Sequence, residues 1–410
     1  MNAPLPDLPR RREDFPALQR TLNGYPLAYF DGPGGTQVPL HVIGALTRYY
    51  ANSNANTHGV FVTSAESDRL LDEARATAAT FLGAPGGHTI SFGANMTTLT
   101  YSLSRGIARA LRPGDEVVVT ELDHEANRGP WLALKEGGIT VREVALLPDG
   151  TLDYDDFRAK VTARTRLVAM GMASNALGTV NDVVTVRELT RHVGAWLMVD
   201  AVHYAPHFLI DVSAMDVDFL ACSAYKFYGP HVGLLYVREG LLDRLETDRL
   251  VTQDPRAPYR IETGTLNHAA IVGVTAAIEY IASLGSGPTL RARLESALGR
   301  IGTHERTLAS RIYGELERMS GVVLYGPSFS VPHRAPTVSF TLNGRTPTEV
   351  CTHLAERGIC AWDGHFYALR AIERLGLLHS GGVTRAGVVL YNTAEEVDRL
   401  IDGVKSLAEA

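Results

Sequence analysis

The sequence predicts an α/β fold with a large, mostly parallel sheet and a smaller C-terminal α+β domain. Short apolar runs alternate with helical segments over the first two thirds of the chain. Runs such as Val117–Val119 and Leu197–Val199 are apolar at every position, as in strands covered on both faces. Alternating strands and helices imply right-handed crossovers, which place helices on both sides of the sheet.

Seven segments are predicted as strands of the main sheet, and four helices are predicted between them. The strands are Thr89–Gly93, Glu116–Glu121, Ile139–Leu146, Leu167–Ser174, Trp196–Val202, Asp218–Ser223 and Gly233–Arg238. The helices are Asn95–Leu111, Asn127–Glu136, Asp153–Val161 and Thr185–Val193.

The pattern changes after about residue 265, where longer helices and isolated short strands follow. Helices are predicted at Asn267–Leu284, Thr289–Met319 and Thr346–Arg357, and strands at Val322–Tyr325, Thr337–Thr341, Ile359–Trp362 and Val383–Leu390. Thr393 followed by Glu396 is a capping box that begins a last helix. We therefore assign residues 1–25 to an N-terminal arm, 26–284 to a large domain, and 285–410, with a contribution from the arm, to a small domain.

Composition narrows the class of protein. The 410 residues carry 39 Lys and Arg against 45 Asp and Glu, a net charge of −6 that argues against a nucleic-acid-binding surface. The sequence has no apolar run long enough to span a membrane. Three sparse cysteines form no disulfide framework, and residues 1–12 are predicted to be a loose arm rather than a signal peptide. We expect a cytoplasmic protein without nucleic-acid or membrane partners.

Two charged residues are placed where ligands bind in such folds. Asp200 ends one predicted strand, and Lys226 follows the next. Ligands of open α/β sheets bind beyond the carboxyl ends of the strands. A partly buried lysine has a depressed pKa and can form a Schiff base. The alternative at this point is a purely structural salt bridge between Asp200 and Lys226.

Several segments around these residues follow one another in an order typical of a known family. They are Glu121–Asn127, Ser174–Thr179, Met198–His203, Ser223–Pro230, Glu262–Asn267, Thr384–Ala386 and Tyr391–Thr393. Together they resemble the class V aminotransferases, enzymes that use pyridoxal 5'-phosphate (PLP), and most of all the branch of the cysteine desulfurases and selenocysteine lyases. The resemblance covers about residues 25–408 and implies the fold-type-I architecture of PLP enzymes and a homodimer.

The resemblance implies a role for each residue around the cofactor ring. Lys226 would carry the internal aldimine and move the proton at the substrate Cα, and Asp200 would keep the pyridine nitrogen protonated. His124 would stack on the ring, and Asn175 would bond the phenolic oxygen. His203 stands where desulfurases commonly have Gln and could serve the same oxygen. Taken alone, His124 and Asn175 could equally be ordinary loop and turn residues.

A glycine-containing turn that opens a helix implies the phosphate pocket. Asn95 would cap the helix, and the free N–H groups of Met96 and Thr97 would face the phosphate. Ser223 would add a hydroxyl, and Tyr225 stands where a histidine is common in desulfurases. The alternative for Asn95 is simple N-capping.

Substrate and partner contacts are implied for four further residues. Arg385 would hold the carboxylate of an amino-acid substrate, aided by Asn175, unless it is a surface arginine. Thr265 would reach the other subunit's site in a homodimer. His365 and Tyr367 belong to the substrate loop. No metal is expected, because Pro206 separates His203 from His207.

The substrate loop departs from the desulfurase pattern. Desulfurases of this group carry sulfur on a loop cysteine, but the matching residue here is Tyr367, and a phenol cannot replace a thiolate. The nearest thiol is Cys360, on a predicted strand. We therefore expect a carbon–sulfur lyase or desulfurase-type elimination. The alternatives are an epimerase or aminotransferase of class V, and a PLP-binding protein without catalysis.

Overall fold

A computed structural model describes residues 7–409, and this part of the chain contains fifteen strands and twelve α-helices. The strands are β1 (Thr21–Leu22), β2 (Tyr25–Pro26), β3 (Ala28–Tyr29), β4 (Ile90–Gly93), β5 (Glu116–Thr120), β6 (Thr140–Val144), β7 (Thr165–Gly171), β8 (Trp196–Asp200), β9 (Phe219–Ser223), β10 (Gly233–Val237), β11 (Val322–Tyr325), β12 (Thr337–Leu342), β13 (Ile359–Cys360), β14 (Trp362–Gly364) and β15 (Val383–Gly387). The helices are α1 (Leu40–Asn52), α2 (Val62–Leu82), α3 (Met96–Ala108), α4 (Gly129–Leu132), α5 (Tyr154–Lys160), α6 (Val183–Val193), α7 (Val212–Met215), α8 (His268–Ser283), α9 (Leu290–Glu317), α10 (Pro347–Ala355), α11 (Leu369–Arg374) and α12 (Ala394–Ala408).

The main sheet has seven strands in the order β4-β10-β9-β8-β7-β5-β6. Strands β9, β8, β7, β5 and β6 run parallel, and β10 is antiparallel to both of its neighbours. The predicted α/β fold with a mostly parallel sheet is therefore confirmed. The carboxyl ends of these five adjacent parallel strands meet at one edge, which is where ligands bind in such sheets.

Both faces of this sheet are buried. On β5, Val118 joins one hydrophobic cluster, whereas Val117 and Val119 join the cluster on the opposite face. All three side chains have no exposed surface. Full burial of such a side chain stabilises the fold by about 1.5–3 kcal/mol, so the continuous apolar run is explained by helices on both sides.

A second sheet of four strands lies in the C-terminal part, in the antiparallel order β11-β12-β15-β14. The predicted capping box at Thr393 and Glu396 is present at the start of α12. Val397, Leu400 and Val404 of that helix are buried in a third cluster with β12 and α9. The division of the chain at residues 25 and 284 stays a prediction.

Four predicted elements differ from the observed ones, and three of them are interrupted at glycine or proline. The helix predicted at Asn127–Glu136 is the short α4, which begins at Gly129 before Pro130, followed by a 3-10 turn. The strands predicted to continue to residues 174 and 390 end at Gly171 and Gly387, where a Cβ would lie 2.8 Å from Asp123 Oδ1 and 2.2 Å from Pro33 Cγ. The segment predicted as one strand, 359–362, is split into β13 and β14, which pair with different strands.

The prediction of a loose arm is wrong at Leu8, which is buried, and at Arg12, whose Nη2 donates to the carbonyl of Leu18 at 2.8 Å. Two 3-10 turns, Pro9–Asp14 and Pro16–Gln19, flank Phe15. The ring of Phe15 is fully buried, and its centroid lies 4.8 Å from that of Tyr391. Residues 1–6 lie outside the described residues. In the part that the structure describes, no helix has the length and apolarity needed to cross a membrane.

Candidate active site

A cavity opens at the carboxyl edge of the main sheet, beyond β5, β7, β8 and β9. Nine of the fourteen predicted site residues line it: Met96, Thr97, His124, Asn175, Asp200, His203, Ser223, Tyr225 and Lys226. The other five predicted residues, which are Asn95, Thr265, His365, Tyr367 and Arg385, do not line it. The cavity therefore collects side chains that are far apart in the sequence.

Lys226 ends a 3-10 turn that directly follows β9, and its side chain is buried. Its Nζ donates to the carbonyls of Pro33 and Gly34, the latter at 2.9 Å. Burial, with the nearby Arg385 charge, lowers the pKa of Lys226 to about 7. Much of this amine is therefore unprotonated and nucleophilic at neutral pH. No ion pair joins it to Asp200, so the salt-bridge alternative is wrong.

Asp200 is the last residue of β8, and its carboxylate is buried. One oxygen accepts a hydrogen bond of 2.8 Å from the N–H of Val202. Burial raises the pKa of Asp200 to about 6, against that hydrogen bond and the Lys226 charge. A cationic group bound in the cavity would therefore stabilise the ionised form of Asp200.

His124 caps a short 3-10 turn, Glu125–Asn127. Its Nδ1 accepts from the N–H of Ala126 at 3.0 Å, which leaves the ring proton on Nε2. Burial, with the charges of Lys226 and Arg385, lowers the pKa of His124 to about 4. The imidazole is therefore neutral at physiological pH and offers a flat face to the cavity.

The N-terminus of α3 forms one wall of the cavity. Asn95 caps the helix by accepting from the N–H of Thr98 at 2.9 Å. Both interpretations of Asn95 include this N-cap, so its role beside a phosphate stays a prediction. The N–H of Met96 donates to Ser223 Oγ at 2.9 Å, so this helix end and β9 are held together. Thr97 adds to the wall at the positive end of the helix dipole.

Two polar side chains of the cavity bond to the C-terminal part of the chain. The amide nitrogen of Asn175 donates to the carbonyl of Phe366 at 2.9 Å. His203 Nε2 lies 2.9 Å from Thr337 Oγ1, and burial lowers the pKa of His203 well below its usual value. His207 bonds to the buried Glu305 at 2.8 Å. In the described residues, no group of three or more His, Cys, Asp or Glu side chains is placed to hold a metal ion.

Arg385 lies on β15 and is 2% exposed, so the alternative of a surface arginine is wrong. Its Nη2 donates to Asp31 Oδ1 at 2.6 Å, and its Nη1 to the carbonyl of Asn175 at 3.1 Å. Its guanidinium lies 4.0 Å from the centroid of the Phe366 ring. Its Nε is buried without a partner. This cation therefore retains a free donor beside the cavity, where its charge lowers the pKa of Lys226.

Sequence reasoning placed Phe366 at the substrate mouth but did not foresee its contact with Arg385. It missed Asp31, which also contacts Arg385, and Asp123 and Asn181, which line the cavity. A Gly-Pro-Gly-Gly turn after Asp31 was the one available signal. The 354 positions between Asp31 and Arg385 carry no spacing signal. Asp123 lies in the segment Glu121–Asn127, in which only His124 was predicted to be a site residue.

The substrate loop holds an unusual backbone conformation. Phe366 and Tyr367 have φ values of +53° and +57°, in the left-handed region that non-glycine residues rarely adopt. The Tyr367 carbonyl accepts from the N–H of Glu125 at 2.7 Å, and the Tyr367 ring lies 5.4 Å from that of His124. His365 Nδ1 accepts from the N–H of Tyr367 at 3.2 Å. The loop is thus fixed at the mouth of the cavity with Tyr367 exposed.

Thr265 is exposed on the surface, away from the cavity of its own chain. All three cysteines are free. Burial raises the pKa of Cys222, raises that of Cys351 to about 12, and, together with Asp31, raises that of Cys360. These thiols are therefore protonated at neutral pH and poorly suited to carry sulfur.

Comparisons with known proteins identify the family. A model of the family Aminotransferase class-V matches residues 28–400. Cysteine desulfurases of Salmonella gallinarum and Salmonella typhimurium are each 34% identical over 96% of both chains. The apo cysteine desulfurase of Thermococcus onnurineus NA1 superposes with a TM-score of 0.87 at 28% identity, covering 100% of this chain and 99% of that one. The Escherichia coli cysteine desulfurase CsdA gives a TM-score of 0.84 at 27% identity and covers 99% of both chains. The chain therefore belongs to the class V aminotransferase family of PLP-dependent enzymes, as its motifs predicted.

Proposed function

We propose that this protein uses PLP to cleave the Cβ–S bond of cysteine or a cysteine-like amino acid and releases the sulfur as sulfide. The observation that carries this proposal is the buried Lys226 amine, which shares one cavity with Asp200 and His124. The full-length similarity to proteins named cysteine desulfurase supports the substrate class.

The residues present fit PLP. An unprotonated amine suits the aldehyde, a buried carboxylate suits the ring nitrogen, and a helix N-terminus suits the phosphate. Asn181 Oδ1 lines the cavity and is buried without a partner in the described residues, so the site has an acceptor to offer. We propose that Lys226 is the point of covalent attachment, and that Met96, Thr97 and Ser223 hold the phosphate.

Four residues of the chain would each have a separate role in the proposed reaction. PLP, when bound, supplies an electron sink for the negative charge that develops at the substrate Cα. Lys226 Nζ removes the Cα proton, since its lowered pKa leaves it able to accept one at neutral pH. With PLP bound, Asp200 would hold the proton of the ring nitrogen, and the neutral His124 would cover the ring face. Arg385 binds the substrate carboxylate and fixes its orientation.

The sulfur leaves the enzyme because no described thiol is suited to accept it. Tyr367 stands where the related enzymes have a cysteine, and Cys360 is protonated at neutral pH by the effects of burial and Asp31. Loss of the Cα proton and of hydrosulfide from Cβ gives 2-aminoacrylate. Water converts that product to pyruvate and ammonia, so cysteine plus water yields pyruvate, ammonia and hydrogen sulfide.

The epimerase and aminotransferase alternatives are not favoured. The relatives with which this chain aligns over nearly its full length are named cysteine desulfurases. A PLP-binding protein without catalysis could use Lys226 to hold the aldehyde, but it would have no need of a buried arginine such as Arg385 for a substrate carboxylate.

We further propose that the protein is a cytoplasmic homodimer in which Thr265 reaches the partner's site. Exposed apolar side chains near the Thr265 segment favour a partner surface: Leu250 is 57% exposed and Val251 is 98% exposed. The three free cysteines favour a reducing compartment. Light scattering tests the dimer.

The experiment that tests the function is an amino-acid screen of the PLP-loaded enzyme. Cysteine, selenocysteine, alanine and aspartate are supplied, and sulfide or selenide, pyruvate and alanine are measured. We expect sulfide and pyruvate in equal amounts from cysteine. The matched control, Lys226→Ala, should form neither. Alanine without pyruvate would indicate a desulfurase with an external acceptor, and a D-amino acid or transfer of the amino group would contradict the proposal.

A further inference from the structure

A second buried carboxyl group lies in the same cavity as Asp200. Asp123 follows the end of β5 and is 3% exposed. In the sheet order, β7 separates β5 from β8, so Asp123 and Asp200 stand at the carboxyl ends of two strands on either side of one strand. The mechanism described above gives Asp123 no role.

A backbone hydrogen bond holds the Asp123 carboxyl group at the end of β7, the strand next to the one that carries Asp200. Asp123 Oδ1 accepts from the N–H of Gly171 at 2.6 Å, and Gly171 is the register partner of Asp200. A Cβ at residue 171 would lie 2.8 Å from Asp123 Oδ1, so a side chain there would displace the carboxylate. The other oxygen is 3.4 Å from Asn127 Nδ2, which makes that hydrogen bond weak. The carboxylate is therefore fixed in place without a strong ion-pair partner.

The charges that face Asp123 come from several elements. Asp200 at the end of β8 disfavours its ionisation, whereas the Thr120 hydroxyl on β5 and the Arg128 guanidinium favour it. His124, its neighbour in sequence, is neutral. Burial, with the Asp200 charge, raises the pKa of Asp123 to about 7. A cation placed in the cavity would favour the ionised form of both carboxyl groups.

We propose that Asp123 is a positioning residue that adds negative charge beside Asp200 and thereby stabilises the protonated ring nitrogen of the bound cofactor. This inference rests on the proposed function, because it assumes that PLP occupies the cavity. Two carboxyl groups, those of Asp200 and Asp123, would then stabilise the ring nitrogen instead of one. Asp200 contacts the ring nitrogen, and Asp123 acts through Gly171 and the field within the cavity.

The test is a pH titration of the visible absorption band of the PLP-loaded protein. Asp123→Asn keeps an oxygen for the Gly171 N–H and removes only the charge. Loss of a nearby negative charge disfavours the protonated cofactor, so the apparent pKa of the band should fall by about one unit. Asp123→Glu, which keeps the charge, should titrate close to the wild type. Asp123→Ser serves as a second charge-removing variant if Asp123→Asn does not fold, with the same expected fall.

The matched control is Glu116→Gln. Glu116 is equally buried and bonds to Arg142, but it begins β5 at the opposite edge of the sheet. It should leave the band unchanged. A band that titrates alike in the wild type and the charge-removing variant would overturn the proposal, as would a rise in pKa. Failure of the wild type to release sulfide would reject the proposed function and leave this titration readable.

Discussion

Replacing Lys226 by Met should change the pH dependence of stability in the cofactor-free protein. The methionine keeps the length and bulk of the side chain and removes the amine. The pKa of Lys226 in the folded chain is about 7, against 10.5 in its ordinary state. A lowered pKa means that the folded chain binds fewer protons than the unfolded chain between those two values. The wild type therefore gains stability relative to Lys226→Met as the pH rises from 7 to 10.5.

The size of this gain follows from the difference between the two pKa values. At about 1.4 kcal/mol for each pKa unit, the gap between about 7 and 10.5 corresponds to about 5 kcal/mol. The substitution also leaves the carbonyls of Pro33 and Gly34 without their donor, at a cost of about 1–3 kcal/mol each. That cost does not depend on pH. It changes the difference in unfolding free energy between wild type and Lys226→Met by the same amount at every pH.

The assay is urea denaturation of the cofactor-free wild type and variant at intervals between pH 7 and pH 10.5. We expect the difference in unfolding free energy to move by several kcal/mol in favour of the wild type over this range. Lys405→Met, an exposed lysine on α12, controls for the loss of a lysine charge in general. If the difference in unfolding free energy between wild type and Lys226→Met does not change with pH, or changes in the opposite direction, the conclusion that Lys226 is buried with a lowered pKa is refuted.

Three further predictions concern the loop, the ring partner and the arm. Tyr367→Cys should place a thiol at the cavity mouth. When this thiolate attacks the substrate sulfur, an S–S bond forms as the Cβ–S bond breaks, and the carbon skeleton leaves as alanine instead of pyruvate. Mass spectrometry after turnover should therefore find a persulfide at residue 367, with alanine replacing part of the sulfide and pyruvate; Tyr367→Phe should acquire none. Asp200→Asn should lower the rate of sulfide release by about 100-fold or more, because it removes the fixed charge that holds the ring proton; a rate within a few-fold of wild type would contradict that role. Phe15→Ala should lower the unfolding free energy by about 3–5 kcal/mol, measured by denaturation, since the ring is fully buried. An unchanged midpoint would show that the arm does not stabilise the fold.

The sequence predicted the main sheet well because its strands are apolar on both faces. Continuous apolar runs between helical segments were enough to place β5, β7, β8 and β9. It did not reveal that β10 runs antiparallel to both neighbours, because burial patterns carry no strand direction. The packed arm was missed because Phe15 stands in a stretch rich in Pro and Arg. Its stabilising contact is with Tyr391, more than 370 positions later.

Site residues were predictable where the chemistry lies at a strand end. Asp200 and Lys226 follow apolar runs, and the parallel topology brings those ends together. Contacts with distant segments were not predictable in the same way. Asp31 meets Arg385 only after the chain has folded, and the Asn175 amide bonds to the backbone of the substrate loop. Neither contact has a local signal.

The cavity holds both an amine and carboxyl groups away from their ordinary charged states. Burial lowers the pKa of Lys226 to about 7 and raises those of Asp200 and Asp123 to about 6 and about 7. Each of these shifts opposes folding at neutral pH, since the unfolded chain would ionise the same groups freely. A ligand with a basic ring nitrogen for the carboxylates and an aldehyde for the amine relieves both costs at once. Cofactor binding should therefore stabilise this fold by more than its contacts alone supply, because it removes unfavourable charge states that the folded chain otherwise retains.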